Sequence, residues 1–281
     1  MRLAFKTKPE HIGWAHMLAT WQELDADPRY DSAWTFDHLY PIYGGDGPCL
    51  ESWVTLSALA QATTRIRVGS MVNAAPYRNP GLFAAMASTL DIVSGGRLEL
   101  GLGCGWNQTE AGAYGIDLGS VKDLQDRFSE YLQCVRSLLC EPVTDFAGRF
   151  YTLTGARNEP KGPQQPAPPI VIGGSGPKRT LPLVARHADH WNLPGGGPED
   201  LRAGLDRLAE CCDAIGRDPA EIVSSTHIFY QPSEPLDGPV AEAAALKEAG
   251  LDIAILYPSD AGYMPESVHD VADAFEHLQG D

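Results

Sequence analysis

The feature that most constrains this chain is a repeated alternation. Eight short apolar runs rich in β-branched residues are separated by stretches of helical periodicity. The runs are Leu3–Lys6, Ala33–Phe36, Ile66–Val72, Leu98–Gly103, Ile170–Gly173, His190–Leu193, Ile222–Phe229 and Ile253–Tyr257. Between them, Leu124, Phe128, Tyr131, Val135 and Leu138 repeat at helical spacing, as do Val268, Val271, Phe275 and Leu278. Ile12, Ala15, Leu18 and Ala19 predict one face of a first helix, and Pro80 and Pro198 stand where helices begin. Strand–helix alternation implies parallel strands joined by right-handed crossovers. Eight such units predict an α/β fold, a closed (β/α)8 TIM barrel, with an open doubly wound sheet as the alternative. At 281 residues the chain has the size of one such barrel, and residues 1–281 are read as a single domain.

The rhythm breaks once. Residues 141–169 hold six prolines, Pro142, Pro160, Pro163, Pro166, Pro168 and Pro169, and no helical pattern fits them. They are read as an irregular insertion after strand 4. A loop of that length is usually functional, and it is expected near the barrel mouth.

Charge and cysteine usage narrow the function. The formal net charge is −16 and no Lys/Arg cluster exists, which speaks against a nucleic-acid partner. The six cysteines form no C-x-x-C pair and no zinc spacing, so reduced thiols in a cytoplasmic protein are expected, without a metal. The start "MRLAFKTKPEH" shows no signal-peptide core, and no apolar run is long enough to suggest a membrane span.

In a barrel of this kind the active site is built at the C-terminal ends of the strands. Strand 2 ends in Asp37-His38 within "WTFDHLYP". Imidazole as a side-chain type titrates near neutrality and suits proton donation. Successive strand residues point to opposite sides, so both can face the axis only if the strand has already curled. Strand 3 ends near Ser70-Met71-Val72-Asn73, and strand 4 in Gly103-Cys104-Gly105-Trp106-Asn107. Strand 5 runs into "GGSGPKRT", where free N–H groups at a helix start, with Pro177 near it and Lys178 and Arg179 beside it, would attract phosphate. A tight turn without ligand is the alternative at that point.

Taken together, these residues resemble the luciferase-like monooxygenase superfamily, and within it the coenzyme F420-dependent oxidoreductases. The phrases that carry the resemblance are "SAWTFDHL", "TTRIRVGSMVNAAPYRNPGLFA", "LDIVSGGRLELGLGCGWNQTEAGAYGI", "PPIVIGGSGPKRTLPLVARHADHWN" and "LKEAGLDIAIL". The resemblance implies a luciferase-like barrel with coenzyme F420 in its mouth, and with FMN as the alternative cofactor. It implies that His38 is the catalytic residue, a proton donor or a polariser of the substrate, and that Asp37, Ser70, Met71, Asn73, Cys104, Gly105, Gly174, Ser175, Pro177 and Lys178 contact the cofactor. It also implies a cis peptide near Ser70-Met71 behind the ring, and a homodimer.

The sequence departs from the sugar-phosphate dehydrogenase branch. There a catalytic glutamate follows the glycine after strand 4, and here Trp106 stands in its place. Sugar-phosphate oxidation is therefore not expected. Trp106 and Tyr43, with Tyr77, are assigned to the substrate pocket, and Glu110 to a structural role. The chemistry expected is hydride transfer between the deazaflavin and a small activated alkene, imine, carbonyl or alcohol. Two alternatives stand: an FMN-dependent monooxygenase, and a non-catalytic flavin- or F420-binding protein.

Overall fold

Parallel pairing carries the chain around a closed barrel. The computed structural model describes residues 1–42 and 45–280. In chain order the elements are β1 (Arg2–Lys6), α1 (Trp14–Ala26), β2 (Tyr30–Thr35), α2 (Ser52–Ala62), β3 (Arg67–Ser70), β4 (Asn73–Ala74), α3 (Pro80–Val93), β5 (Leu98–Gly103), α4 (Gln108–Ala113) and α5 (Val121–Cys140). Then come β6 (Thr144–Ala147), β7 (Thr152–Ala156), β8 (Ile170–Gly173), α6 (Thr180–His187), β9 (His190–Leu193), α7 (Pro198–Asp213), β10 (Val223–Tyr230), α8 (Asp237–Glu248), β11 (Ile253–Pro258) and α9 (Ser267–Phe275). The strand order is β3-β2-β1-β11-β10-β9-β8-β5, and a β3–β5 pairing closes the ring. These are the eight predicted strands, each in its expected place. β4 is a two-residue continuation of β3 that pairs with the upper end of β5.

The helices bury the stripes that their spacing predicts. Leu124, Phe128, Tyr131, Val135 and Leu138 of α5 are buried, as are Val268, Val271 and Phe275 of α9 and Leu278 just beyond it. Pro80 and Pro198 open α3 and α7. In α1 the buried face is Met17, Thr20, Trp21 and Leu24, not the predicted Ala15, Leu18 and Ala19. The indole of Trp21 donates to Thr7 Oγ1 at 2.9 Å, and this large side chain sets the rotation of the helix.

Inside the barrel, Trp34 is fully buried and fills the middle. Gly69 lies beside it, where an added Cβ would come within 2.4 Å of the indole ring. Below, Glu99 meets Arg67 at 2.7 Å and His190 at 3.2 Å, and His190 Nε2 meets Ser225 Oγ at 2.7 Å. Burial pushes the Glu99 carboxyl up, but His190 and Arg67 outweigh it and bring it down to about 2.

The insertion departs from expectation in form and position. It opens with an antiparallel hairpin, β6–β7, whose turn is held by Glu130 of α5: the carboxylate accepts from the N–H groups of Arg149 and Phe150, each at 2.8 Å. The stretch that follows is irregular and runs under the barrel. There Gln164 donates to the Asp91 carboxylate at 2.7 Å and to the Leu98 carbonyl at 2.8 Å. Nothing from 141–169 lines the mouth cavity. The reason is topological: the insertion follows a helix, so it joins at the N-terminal ends of the strands, opposite the site.

Candidate active site

The mouth holds a cavity of about 380 Å³, inside the range of small-molecule sites. Its walls come from the C-terminal ends of the barrel strands. β2 ends at Thr35, so Phe36, Asp37 and His38 have left the strand before its alternation applies, and all three line the cavity.

Asp37 and His38 are held in different ways. Asp37 is buried and takes both arms of Arg78, at 2.6 and 3.0 Å, plus the Ala74 N–H at 3.1 Å. Arg78 continues to Glu51 at 2.7 Å. Bidentate pairing of this kind fixes geometry as well as charge. It ties the end of β2 to the chain just after β4. The next two residues of the same phrase start a helix: Asn79 caps α3 through the Gly81 N–H at 2.8 Å, and Pro80 is its first residue.

His38 is oriented by a residue read as structural in the sequence. Its Nδ1 lies 2.6 Å from Glu110 Oε2. Glu110 sits fully buried in α4, whose N-cap Asn107 accepts the Glu110 N–H at 3.1 Å. The carboxylate also accepts from Tyr77 OH at 2.6 Å and from the backbone N–H of Leu39. Burial pushes Glu110 up, yet Tyr77, Leu39 and His38 outweigh it and hold the carboxyl below its usual range. An ionised Glu110 accepts only, so His38 Nδ1 carries its proton toward it. Nε2 is then the ring nitrogen that Glu110 leaves unengaged, on a residue that lines the cavity. The spacing Asn107-x-x-Glu110, an N-cap followed three residues later by an acid, was the sequence signal for this helix start.

The floor is made by the break between β3 and β4. The Met71–Val72 peptide is cis, one residue beyond the expected Ser70–Met71. Met71 and Val72 line the cavity; Ser70 does not. Its hydroxyl lies 3.2 Å from Ser52 of α2, because β3 still alternates at that point and turns Ser70 outward. The glycines nearby answer to the break. A Cβ on Gly101 would lie 1.9 Å from the Ser70 carbonyl oxygen, and one on Gly103 2.6 Å from Val72. They leave room for a backbone crossing over β5.

The remaining assigned residues divide. Asn73, Cys104, Gly105, Trp106 and Gly174 line the cavity. The Asn73 amide is engaged by Gly101 and Trp53, at 2.7 and 2.8 Å, so it braces the floor. Trp106 is 65% exposed, with its ring 5.6 Å from that of His38. Ser175, Pro177 and Lys178 are exposed on the rim beyond Gly174 and outside the cavity. α6 begins only at Thr180, so Pro177 and Lys178 belong to the preceding turn and not to the helix start. Trp191 fastens that turn by donating to the Gly174 carbonyl at 2.8 Å. Tyr43 lies outside the described residues.

Among the lining residues that the sequence reading left unassigned are Lys6 at the end of β1 and His227 on β10. The strand-end rule that singles out His38 applies equally to Lys6, the last residue of β1. Among the described residues no group of His, Cys, Asp and Glu is arranged to hold a metal ion, and no helix is long and apolar enough to cross a membrane.

The cavity fits a flat aromatic cofactor. The apolar floor of Met71 and Val72 would support a ring face, and the glycine-lined edge at Gly103, Gly105 and Gly174 admits close backbone approach. The sequence model of the luciferase-like monooxygenase family matches residues 26–256. An F420-dependent hydroxymycolic acid dehydrogenase of Mycobacterium tuberculosis is 30% identical over 199 residues, 70% of this chain and 53% of that protein. The pyrimidine monooxygenase RutA of Klebsiella pneumoniae is 31% identical over 179 residues, 62% and 48% of the two. The chain thus spans about half the length of these curated relatives. A solved F420-dependent secondary alcohol dehydrogenase, in complex with an F420–acetone adduct, shares the fold with a TM-score of 0.85. It is 20% identical, and 98% of each chain is covered.

Proposed function

Since the chain belongs to the luciferase-like monooxygenase family, we propose that it is an F420-dependent oxidoreductase acting on a small organic substrate in the barrel mouth. The observation that carries the reading is the His38–Glu110 pair at 2.6 Å, a proton relay on the wall of the mouth cavity. An F420-dependent relative at 30% identity supports the cofactor.

The cofactor would rest on Met71 and Val72, with Cys104 and Gly105 at its edge and Gly174 toward its tail. When bound it supplies or accepts the hydride, the step that the protein itself cannot perform. The work of the chain is to bind, orient and move a proton. Asp37 and Arg78 fix the end of β2 so that His38 meets the cavity in one orientation. Glu110 holds Nδ1–H and leaves Nε2 to deliver a proton to the substrate, or to take one in the reverse direction. Trp106 and Phe36 pack edge-on against the imidazole, with ring centroids 5.6 and 5.4 Å from it.

The second reading is FMN with oxygen, supported by the likeness to a pyrimidine monooxygenase. Separate titrations with F420 and FMN, read by fluorescence quenching and calorimetry, decide between them. Tight F420 and weak FMN binding is expected. The reverse result assigns the oxygen-dependent chemistry, and binding of neither removes the oxidoreductase reading.

A further inference from the structure

The cavity has a second polar end that the hydride chemistry does not use. β1 ends on Lys6, only 6% exposed, with Nζ 3.3 Å from His227 Nε2. His227 Nδ1 lies 3.1 Å from the Pro194 carbonyl oxygen. A carbonyl only accepts, so Nδ1 carries the proton and Nε2 accepts from the Lys6 amine. The faces of Phe36 and Tyr257 lie 5.7 and 4.7 Å from Nζ and favour its charged form.

No carboxylate among the described residues forms an ion pair with Lys6, whereas the Asp37 carboxylate in the same cavity is taken by Arg78. Lys6 is also the one Lys or Arg side chain among the described residues that line the cavity. A buried ammonium without a counter-ion is costly, and an anion from outside would offset that cost. Burial, and then the nearby Lys8, bring the amine down to about 7, so it stands ready to accept a proton when an anion arrives.

We propose that Lys6, braced by His227, is the substrate-recognition end of the cavity and receives a carboxylate of the substrate. This rests on the reading of the cavity as the reaction site, and deepens it to a substrate class: small carboxylates whose reactive carbon lies a few bonds from the carboxylate. The geometry sets the orientation. Phe36 stands between the two ends, with His38 at 5.4 Å and Lys6 Nζ at 5.7 Å from its ring centre. The Glu110 carboxylate behind His38 repels an anion at that end, so the carboxylate goes to Lys6 and the reacting carbon to His38.

Benzoate and benzamide, equal in shape and different in charge, test this by calorimetry on the full chain. Both cofactor-free protein and protein saturated with F420 or FMN are used. At pH 6.5 benzoate is expected to bind at least about 10-fold more tightly than benzamide, the scale of one charge-assisted contact. At pH 9 the amine is neutral and the preference falls below about 3-fold. The titratable groups facing Lys6 are Lys8 beyond β1, His227 from β10 and Tyr257 from β11. His227 is held down to about 3 by burial and by Lys6, so it stays neutral across this window. Lys6→Met is expected to abolish the preference at both pH values and to leave benzamide binding within about 3-fold. Equal binding of the two probes at pH 6.5, no benzoate binding, or a preference that survives in Lys6→Met overturns the proposal. The wild-type comparison at two pH values stands even where the variant does not fold. If neither cofactor binds, the oxidoreductase reading fails, while the carboxylate preference is still measured on the cofactor-free chain.

Discussion

Glu110 and His38 come from segments 72 residues apart in sequence, and their side chains meet at 2.6 Å inside the barrel mouth. Glu110 is the deeper of the two, with no exposed surface, and it accepts from the Tyr77 hydroxyl as well as from His38. This carboxylate therefore positions a ring that lines the cavity. His38→Ala is expected to lower turnover by about 10²–10⁴-fold, the usual range for a general acid. Cofactor affinity should stay within about 3-fold. Unchanged turnover would remove His38 from the chemistry.

Glu110→Gln retains the volume and loses the obligate acceptor, so His38 is no longer held in one tautomer. We expect a fall in turnover of about 10–100-fold, the scale of an orienting partner. Tyr77→Phe removes one donor to the same carboxylate, and a fall of only a few-fold is expected. Steady-state kinetics on both variants checks the ranking, and a larger loss in Tyr77→Phe than in Glu110→Gln would contradict it.

Arg78→Leu would leave Asp37 buried without its partner. Breaking a buried pair in this way costs about 3–5 kcal/mol. Urea unfolding should show a loss of that order, and Asp37→Asn combined with Arg78→Leu should recover part of it. A loss below about 1 kcal/mol would show that the pair is solvated and does not brace the mouth.

The barrel floor predicts acid sensitivity. Glu99 is lowered from 4.5 to about 2 in the folded chain. Its contribution is thus complete above the unfolded value and is lost as pH falls from about 5 toward 2. Thermal melts should show the wild type losing stability through that window, by on the order of 2 kcal/mol from this group. Glu99→Gln should be less stable at neutral pH and show a shallower acid slope.

Lys6 gives the opposite sign. Its amine is lowered from 10.5 to about 7, so between those values the unfolded chain binds more protons than the folded one. Stability from this group therefore rises with pH from about 7 to 10.5, and its cost is complete below 7. Lys6→Met removes the cost. At pH 7 it should be more stable than wild type by roughly 2–4 kcal/mol, with the gap closing as pH rises, as followed by chemical denaturation.

Gly101→Ala tests the floor. The added Cβ would lie 1.9 Å from a backbone oxygen, so the crossing at Ser70 must move and not merely repack. Destabilisation of about 3 kcal/mol and loss of cofactor binding are expected. Binding that persists unchanged would show that the floor can shift without harm.

The architecture was legible because it is written in local periodicities. Eight apolar runs and the stripes of α5 and α9 need only neighbours in sequence to declare themselves. Pro80 and Pro198 marked helix starts by a property of one residue. Asp37 and His38 were visible because a strand must end, and its end faces the mouth. Tertiary structure decided what those residues are bonded to. Arg78 was plain in the text, but nothing in its spacing said that it would clasp Asp37, 41 positions away. Glu110 looked structural until α4 folded it against His38. Lys6 and His227 are 221 residues apart and meet only because β1 and β10 flank β11 in a closed sheet. The insertion was legible by composition, and its side of the barrel was fixed by the helix that precedes it. Sequence by itself determined the elements and their order, since those follow from backbone preference and burial pattern within a few turns. The site belongs to barrel closure, because a pair energy depends on distance in space, and only the closed ring brings these charges within reach of one another.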